Sequence, residues 1–356
     1  MEKCELAILG PFPPPLMGVS KNNEILRNSL REKGVAVATI DTSVGQLSHH
    51  RNLRYHFARL LANLRAAVSL ARCGGRIYMV PDGGLGIIYS LTHIALARFV
   101  SDEIFIHHRT FKYIDRSSTC LSLALYLSRS KATHIFLSSG MAVKFQSRYG
   151  SVRHLISGNA CFVPDIPQRV SLPTSSGLVL GHLSNLCAEK GFFLTADLFE
   201  MLAKQYPRMK FKIAGPIVEE NVRTRLRQLV SRFPDQVAHL GPVYGNAKQA
   251  FFDSIDVFVF PTLYSLEAQP NVIYEAMSSG NIILATERGC ISEMVPNWAG
   301  LVVADPGDFV ERSAIFIKTG LEGRDLAAKK AAIVKHFEEE RTQARGQFAA
   351  LVDALT

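Results

Sequence analysis

Short apolar segments alternate with helical patterns along the whole chain. The apolar segments, which we predict to be strands, are ELAILG (5–10), VAVATI (35–40), RIYMV (76–80), EIFIH (103–107), THIFLS (133–138), GLVLGHLS (177–184), KFKIAG (210–215), VAHLG (237–241), VFVFP (257–261), IILAT (282–286) and LVV (301–303). Helical periodicity separates them near 20–33, 51–72, 86–100, 118–130, 191–206, 218–232, 246–254, 271–279, 309–318 and 325–355. Continuously apolar strands are typical of parallel sheets with helices on both faces, so the pattern predicts an α/β fold.

The length of the chain predicts two domains, because 356 residues exceed one ordinary core. The segment PDIPQRVSLPTSSG (164–177) is rich in Pro and Ser and has no periodicity, as expected for a linker. We therefore predict two doubly wound Rossmann-like domains, 1–168 and 169–335, whose parallel sheets face a cleft. A last helix, 336–356, is expected to pack back on the first domain. In such sheets ligands bind beyond the carboxyl ends of the strands.

Composition excludes several classes of protein. At 47% hydrophobic and 20% charged residues, the chain is not a disordered segment. The six cysteines are scattered without metal-ligand spacing, so neither a zinc site nor a disulfide framework is expected. No apolar run is long enough for a membrane span, and the N-terminus lacks the hydrophobic stretch of a signal peptide. We expect a cytoplasmic protein.

Positive charge is concentrated in the first half. Residues 1–170 carry 21 Lys and Arg against 10 Asp and Glu, whereas residues 171–356 carry 19 against 21. The densest source is the helical segment 51–72, whose apolar face comprises Leu53, Phe57, Leu60, Leu64, Val68 and Ala71. Beside that face lie the arginines Arg51, Arg54, Arg65 and Arg72. They are either a solvated helix edge or a surface for acidic lipid headgroups. Nucleic acid is not expected, because no recognition helix, RNP-like aromatic run or zinc finger is found.

The segment PTLYSLEAQPNVIYEAMSSGNIILAT (261–286) contains the strongest candidate chemistry. A strand ends at Pro261, Glu267 follows in the loop, and Glu275 lies on the helix that begins near Asn271. Carboxylates suit pairs of sugar hydroxyls, and the helix N-terminus suits phosphate. An isolated E-x7-E spacing, however, is also found in solvated glutamates. The first loop, GPFPPPLMGVS, ends a strand and precedes a helix, but it contains no dinucleotide-binding fingerprint.

This segment resembles the E-x7-E region of family 4 glycosyltransferases, which are retaining enzymes of the GT-B fold. The similarity continues through Glu275, Ala276, Met277 and Gly280 to Ile291 and Glu293. Three further segments also resemble the family: GPFPPPLMGVS as the first loop, SNLCAEKG (184–191) as the start of the nucleotide domain, and HLGPVYGNAK (239–248) as the loop that meets the base.

The resemblance implies a role for each matching residue. Glu275 would hold the ribose of a nucleotide sugar, Glu267 would face the donor sugar, and Lys190 would neutralise the leaving diphosphate. The other implied donor-binding residues are Gly18, Asn185, Val243 and Tyr244, together with the bend Ala268, Gln269, Pro270 and Asn271. His107 and His108 follow the fourth strand, where the family has a histidine near the reaction centre, and the sequence leaves open which of them faces the ligand.

Two features depart from the family. Ser184 and Asn185 stand where many members have Gly-Arg, and the bend reads AQPN instead of G-F-G. The function expected from the resemblance is transfer, with retention, from a nucleotide-diphosphate sugar to a glycan or lipid-linked glycan in cell-surface polysaccharide synthesis, peripheral to the membrane, without metal or other cofactor. The alternatives are a GT-B epimerase or phosphorylase, or a non-catalytic protein that binds nucleotide sugars or membranes.

Overall fold

The chain forms two compact units, one of residues 1–158 with 344–356 and the other of residues 159–343. The computed structural model describes residues 4–14, 18–45, 53–165, 177–320 and 325–356. Each unit contains one six-stranded parallel sheet. Most of the predicted linker, residues 166–176, lies outside the described residues.

The sheet of the first unit has the order β2-β1-β3-β4-β5-β6. Its strands are β1 (Leu6–Gly10), β2 (Val37–Asp41), β3 (Arg76–Met79), β4 (Ile104–His107), β5 (Ala132–Phe136) and β6 (His154–Ile156). The helices are α1 (Gly18–Glu32), α2 (Leu53–Ala71), α3 (Ile87–Val100), α4 (Lys112–Asp115), α5 (Thr119–Ser128) and α6 (Ser139–Tyr149). Because parallel crossovers are right-handed, the reversal after β2 puts α1 on one face of the sheet and α2, α3 and α5 on the other.

The C-terminal end of α13 (Leu326–Leu355) packs into the core on the α1 face of this sheet. Leu26 and Leu30 of α1 pack there with Leu351, Val352 and Leu355, the last apolar residues of α13. The structure starts this C-terminal segment at residue 344, later than the predicted 336.

The second unit has the order β12-β11-β10-β7-β8-β9, which read from β9 is the strand order of the Rossmann fold. Its strands are β7 (Val179–Leu183), β8 (Lys210–Ala214), β9 (Val237–His239), β10 (Val257–Phe260), β11 (Ile282–Thr286) and β12 (Gly300–Val303). The helices are α7 (Phe192–Ala203), α8 (Glu220–Arg232), α9 (Gly245–Asp253), α10 (Asn271–Ser278), α11 (Ile291–Met294), α12 (Phe309–Gly320) and the first part of α13. The strand order reverses between β7 and β10, so a ligand site is expected at their carboxyl ends.

Every predicted strand is present, and the predicted α/β fold with two parallel sheets is confirmed. The sequence pattern missed β6, a three-residue strand at the edge of its sheet, and α6. The start of α6 is rich in Ser and Gly and resembles a loop, but Ser138 caps the helix by accepting from Met141 N at 3.1 Å. The two four-residue helices α4 and α11 were also missed.

The boundary between the two units differs from the predicted one. Residues 159–165 belong to the second unit, not to a first domain ending at 168. The reason is a pair of hydrogen bonds: the main-chain N–H of Asn159 donates to Gln269 Oε1 at 2.5 Å, and its side-chain amide donates to Gln269 O at 2.8 Å.

The apolar face of α2 lies in solvent. The residues that α2 buries are Asn63, Ala66 and Leu70, whereas the apolar residues of the stripe predicted from periodicity are exposed. An amphipathic helix ordinarily turns its apolar stripe towards the core, so the orientation of α2 is the reverse of the usual one.

Candidate active site

The junction between β10 and α10 holds two carboxylates at its two ends. Glu267 lies in the loop after β10, and Glu275 lies on the second turn of α10. The helix begins at Asn271 because Pro270 keeps an extended backbone and has no N–H, while its carbonyl accepts from Ile273 N at 3.1 Å. The first main-chain N–H groups of α10 are therefore those of Asn271 and Val272.

The bend before α10 is held from behind by the loop that follows β11. Cys290 N donates to the carbonyl of Ala268 at 2.6 Å, and Ala268 itself is buried. Gly289 makes this approach possible, because a Cβ there would lie 2.1 Å from Ala268 O. The carbonyl and the side chain of Gln269 both bind Asn159. If Gln269 contacts the donor, as the resemblance implies, it would do so through its main-chain N–H.

Glu267 is paired with Lys190. Lys190 Nζ lies 2.5 Å from Glu267 Oε2, and both side chains are mostly buried. The ammonium also lies over the ring of Tyr264, 4.5 Å from its centroid. Lys190 reaches this place from the loop after β7, so the pair sits where the strand order reverses, between β7 and β10.

Gly191 fixes the position of that lysine. Its φ is +80°, and a Cβ at this residue would lie 2.1 Å from Pro261 O. Only glycine accepts this backbone conformation and this approach of the β7 loop to the end of β10 without strain.

Glu275 is paired with a second lysine, which the sequence did not single out. Lys248 Nζ lies 2.5 Å from Glu275 Oε2. Lys248 belongs to α9 and is the last residue of the segment expected to meet the base. Its place at the end of HLGPVYGNAK was the signal available in the sequence.

The remaining implied donor-binding residues of this unit differ in exposure. Tyr244 is 72% exposed and Val243 is half-buried, so this tyrosine is not a core residue. Asn185 is also exposed, directly after Ser184. Ser184 Oγ lies 2.9 Å from Nε2 of the buried His182, whose Nδ1 faces Val259 O at 2.9 Å. Burial lowers the pKa of His182 to about 4.

The structure separates the two adjacent histidines at the end of β4. His108 is fully buried, with Nδ1 at 2.9 Å from Tyr113 OH and Nε2 at 2.8 Å from His134 Nδ1. Its ring stacks on Phe136 with centroids 4.9 Å apart. Both ring nitrogens are thus used within the core, so we assign no catalytic role to His108.

His107 has one ring nitrogen without a partner. Its Nδ1 lies 2.6 Å from Tyr78 OH and 3.4 Å from the Arg109 guanidinium. Among the described residues, its buried Nε2 has no hydrogen-bond partner. Burial lowers the pKa of His107 well below its usual range, and Arg109 and His108 lower it further, so the ring is neutral at pH 7.

Gly18, the first residue of α1, lies close to the same cluster. The side-chain amide of Asn22 makes two hydrogen bonds in the orientation that pairs both its oxygen and its nitrogen. The amide oxygen accepts from Arg109 Nη1 at 2.7 Å, and the amide nitrogen donates to Gly18 O at 3.1 Å. Gly18 itself is exposed, and nothing lies within 4 Å of the place where a Cβ would be.

The predicted lipid-facing arginines are exposed where they are described. Arg54, Arg65 and Arg72 lie on or next to α2 in solvent, and Arg51 falls outside the described residues. In the described part of the chain, no helix is long and apolar enough to cross a membrane. Over the same residues, no cluster of three or more His, Cys, Asp or Glu side chains is arranged to hold a metal ion. The expected independence from metal stays a prediction.

Comparisons with known proteins relate this geometry to a family. Residues 177–318 match the family described as Glycosyl transferases group 1. The chain is 30% identical over 139 residues to mannosylfructose-phosphate synthase of Agrobacterium fabrum, covering 37% of this chain and 30% of that protein. It is 22% identical over 196 residues to the phosphatidylinositol N-acetylglucosaminyltransferase gpi3 subunit of Schizosaccharomyces pombe, covering 54% of this chain and 42% of that protein. The chain therefore matches less than half the length of either curated relative.

The fold is similar to that of solved structures with bound UDP. The crystal structure of Anabaena HepE in complex with UDP and glucose matches with a TM-score of 0.62 and 16% identity, over 99% of both chains. At this identity the likeness concerns the fold alone. The chain thus has the GT-B fold, and its residues 177–318 match the glycosyl transferases group 1 family.

Proposed function

We propose that this chain is a glycosyltransferase that transfers a sugar from a nucleotide-diphosphate donor, with retention of the anomeric configuration. One observation carries the proposal: Glu267 and Glu275 lie at the two ends of the β10–α10 junction, each within 2.5 Å of a lysine ammonium. The junction stands at the strand-order reversal of a Rossmann sheet, where nucleotides bind in such folds.

The two ion pairs suit a donor that carries both hydroxyl groups and phosphates. Glu275 accepts hydrogen bonds from the ribose hydroxyls, and Glu267 accepts them from the donor sugar. Lys190 then shares its positive charge between Glu267 and the diphosphate. As the bond between the anomeric carbon and the diphosphate oxygen breaks, negative charge grows on that oxygen, and a fixed ammonium stabilises it.

His107 is the proposed catalytic residue of the first unit. Arg109 has only donors, so a contact between its guanidinium and Nδ1 requires Nδ1 to be the accepting nitrogen. The proton of the neutral ring is then on Nε2, the nitrogen without a partner among the described residues. His107 can therefore donate a hydrogen bond to a substrate oxygen from a fixed ring.

The proposed acceptor is a glycan or a lipid-linked glycan of cell-surface polysaccharide synthesis, reached at an anionic membrane face. The excess of basic residues in the first half of the chain and the exposed positions of Arg54 and Arg65 support this. Lipid-linked sugars carry phosphate groups, so the same positive charge suits both the acceptor and the surface in which it lies.

A panel of nucleotide sugars with different bases and sugars tests the donor site. A donor present at a hundred times its Kd should stabilise the protein by about 2.7 kcal/mol, measured by thermal unfolding, and should release nucleoside diphosphate in the presence of acceptor. Glu275→Gln and Lys190→Met should abolish the stabilisation or weaken it by at least about tenfold in Kd.

Glu311→Gln and Lys204→Met are the matched controls, because both residues are exposed elsewhere in the same unit. Unchanged turnover in Glu275→Gln and Lys190→Met would refute the site. Stabilisation by a donor without its turnover with any acceptor would refute the transferase and indicate a non-catalytic nucleotide-sugar-binding protein.

A further inference from the structure

The outer surface of three helices of the first unit carries large apolar side chains in solvent. On α2 the stripe consists of residues four and seven positions apart, and α3 and α5 extend it beyond α2. We call this the three-helix surface and define it by Leu53, Phe57, Leu64, Val68, Phe99 and Tyr126. Monomeric proteins rarely leave such a patch uncovered unless it binds something.

The orientation of α2 is fixed by polar contacts. Arg59 forms an ion pair with Asp82 at 2.8 Å, and the Asn63 carbonyl lies 3.2 Å from Nε2 of the buried His93 on α3. The Asn63 side chain is satisfied within its own helix, by donating to Arg59 O at 2.7 Å. These contacts, together with the buried Ala66 and Leu70, hold this side of α2 against the fold, and the apolar stripe consequently faces solvent.

The neighbouring helices continue the surface. Helix α3 packs between α2 and α5. At its C-terminal end Phe99 is 84% exposed, and Tyr126 of α5 is 76% exposed. Both line one open depression, together with Arg98 and Arg129. An aromatic ring with a polar edge, such as that of Tyr126, suits a boundary between apolar and aqueous phases.

The three helices carry charge of one sign. None of the three helices contains an aspartate or a glutamate. Arg54, Arg65, Arg72 and Arg129 are exposed on or directly after these helices. Asp82, which lies near the start of α3, is neutralised by Arg59. Asp102, two residues beyond α3, is an exposed acidic residue at the edge of this surface. Exposed apolar side chains among an excess of basic ones are typical of segments that lie in the interface of an anionic bilayer.

A second copy of the chain fits this surface poorly. In a two-fold symmetric dimer the same patch would face itself, so these arginines would approach identical arginines without a carboxylate to pair with. Nucleic acid has the right charge, but its phosphates offer nothing to Leu53, Phe57 or Phe99.

We propose that the three-helix surface inserts its apolar side chains into an anionic membrane, with the surrounding arginines on the lipid phosphates. This inference extends the proposed membrane association from charge to insertion, and it does not depend on the transferase activity. The inference also adds residues of α3 and α5 to the membrane contact, which the charge pattern had placed on α2 alone.

Sedimentation with vesicles tests the proposal. The full chain should bind vesicles of phosphatidylcholine with about one-third phosphatidylglycerol much more tightly than phosphatidylcholine alone. Arg65→Ser should weaken binding about fivefold, and Phe57→Ser and Phe99→Ser about tenfold each. Ile315→Ser, at an apolar residue of α12 in the second unit that is more than half exposed, is the control and should bind like the wild type.

A fluorescence measurement reports insertion directly. Trp298 is the only tryptophan of the chain, so Phe99→Trp in a Trp298→Phe background places one probe on the surface. Its emission should shift to the blue with anionic vesicles and be quenched by lipids brominated on their acyl chains.

Three outcomes would overturn the inference: no binding to anionic vesicles, apolar variants that bind as well as the wild type, or a dimer in solution that Phe57→Ser dissociates. Donor-induced stabilisation is measured in parallel on the same variants and should not change. A failure of the membrane proposal is thereby distinguishable from a failure of the donor site.

Discussion

The buried ion pair between Lys330 and Asp256 allows a quantitative prediction about the second unit. Lys330, near the start of α13, is almost completely buried, and its Nζ lies 2.9 Å from Asp256 Oδ1 and 3.0 Å from Ile255 O. The other carboxylate oxygen of Asp256 accepts from Val179 N at 2.9 Å. The pair therefore joins α13 to the amino ends of β7 and β10, the two strands whose carboxyl ends lead to Lys190 and Glu267.

Lys330→Met removes the ammonium and leaves the buried carboxylate with a single neutral donor. Breaking a buried pair in this way costs about 3–5 kcal/mol, because the remaining charge is desolvated and has lost its direct partner. That is a large share of the 5–15 kcal/mol by which a typical domain is stable. We expect a correspondingly lower midpoint of urea unfolding, with an unchanged slope.

A double variant separates the charge from the packing. Asp256→Asn in the Lys330→Met background removes the stranded charge and keeps an oxygen for Val179 N, so about 2 kcal/mol should be recovered. Lys335→Met, an exposed lysine on the same helix, controls for the loss of a lysine as such and should cost less than 0.5 kcal/mol, roughly. If Lys330→Met costs no more than Lys335→Met, the pair does not stabilise the unit and the reasoning is refuted.

Three further predictions follow from the described contacts. His107→Gln should lower kcat by about a hundredfold with an unchanged unfolding midpoint, whereas His108→Gln should cost about 1–3 kcal/mol of stability and leave kcat unchanged in the folded protein; the reverse result would exchange their roles. Gly191→Ala should destabilise the chain by at least about 2 kcal/mol, because its Cβ meets Pro261 O at a positive φ, while Gly346→Ala, in an open part of α13, should be neutral or stabilising. The pKa values of the buried His134 and His182 are both about 4, below the value near 6.5 of an unfolded chain, so the unfolded state binds more protons in this interval. Unfolding free energy should consequently fall as pH drops from 6.5 to 4, by about 1.4 kcal/mol per pH unit for each histidine, and a flat urea midpoint over this range would contradict the assignment.

The strands were predictable because a parallel sheet covered on both faces requires continuous apolar runs. Strands that are not covered on both faces need no continuous apolar run, and the pattern does not reveal them. The edge strand β6 is only three residues long and begins with the exposed His154. Helix α2 was recognised as a helix with an apolar face, but the direction in which that face points could not be predicted, because periodicity shows that a face exists and does not show what it meets. Contacts of Asn63 and Arg59 with other elements decide the orientation, and such contacts are not visible in a local pattern.

In the site, too, the roles of single residues depend on contacts with other elements that a local sequence pattern does not reveal. Two neighbouring residues on a strand point to opposite faces, so one of His107 and His108 had to face away from the other. Which of them meets Arg109 and which meets His134 depends on the neighbouring strands. Lys248 was missed for a similar reason, since its carboxylate partner is on another helix.

Lys248 changes the interpretation of the departure at Asn185. Where many members of the resembled family have Gly-Arg, this chain has Ser184 and Asn185, which removes a cation from the loop after β7. The structure provides two lysines for two carboxylates at the β10–α10 junction, so the four charges balance before a donor arrives. A diphosphate that binds there must draw on an ammonium already paired with a carboxylate, and each carboxylate must then find sugar hydroxyls in exchange. A ligand with phosphate alone satisfies only half of this exchange, which favours a complete nucleotide sugar over inorganic phosphate or diphosphate as the natural ligand of the junction.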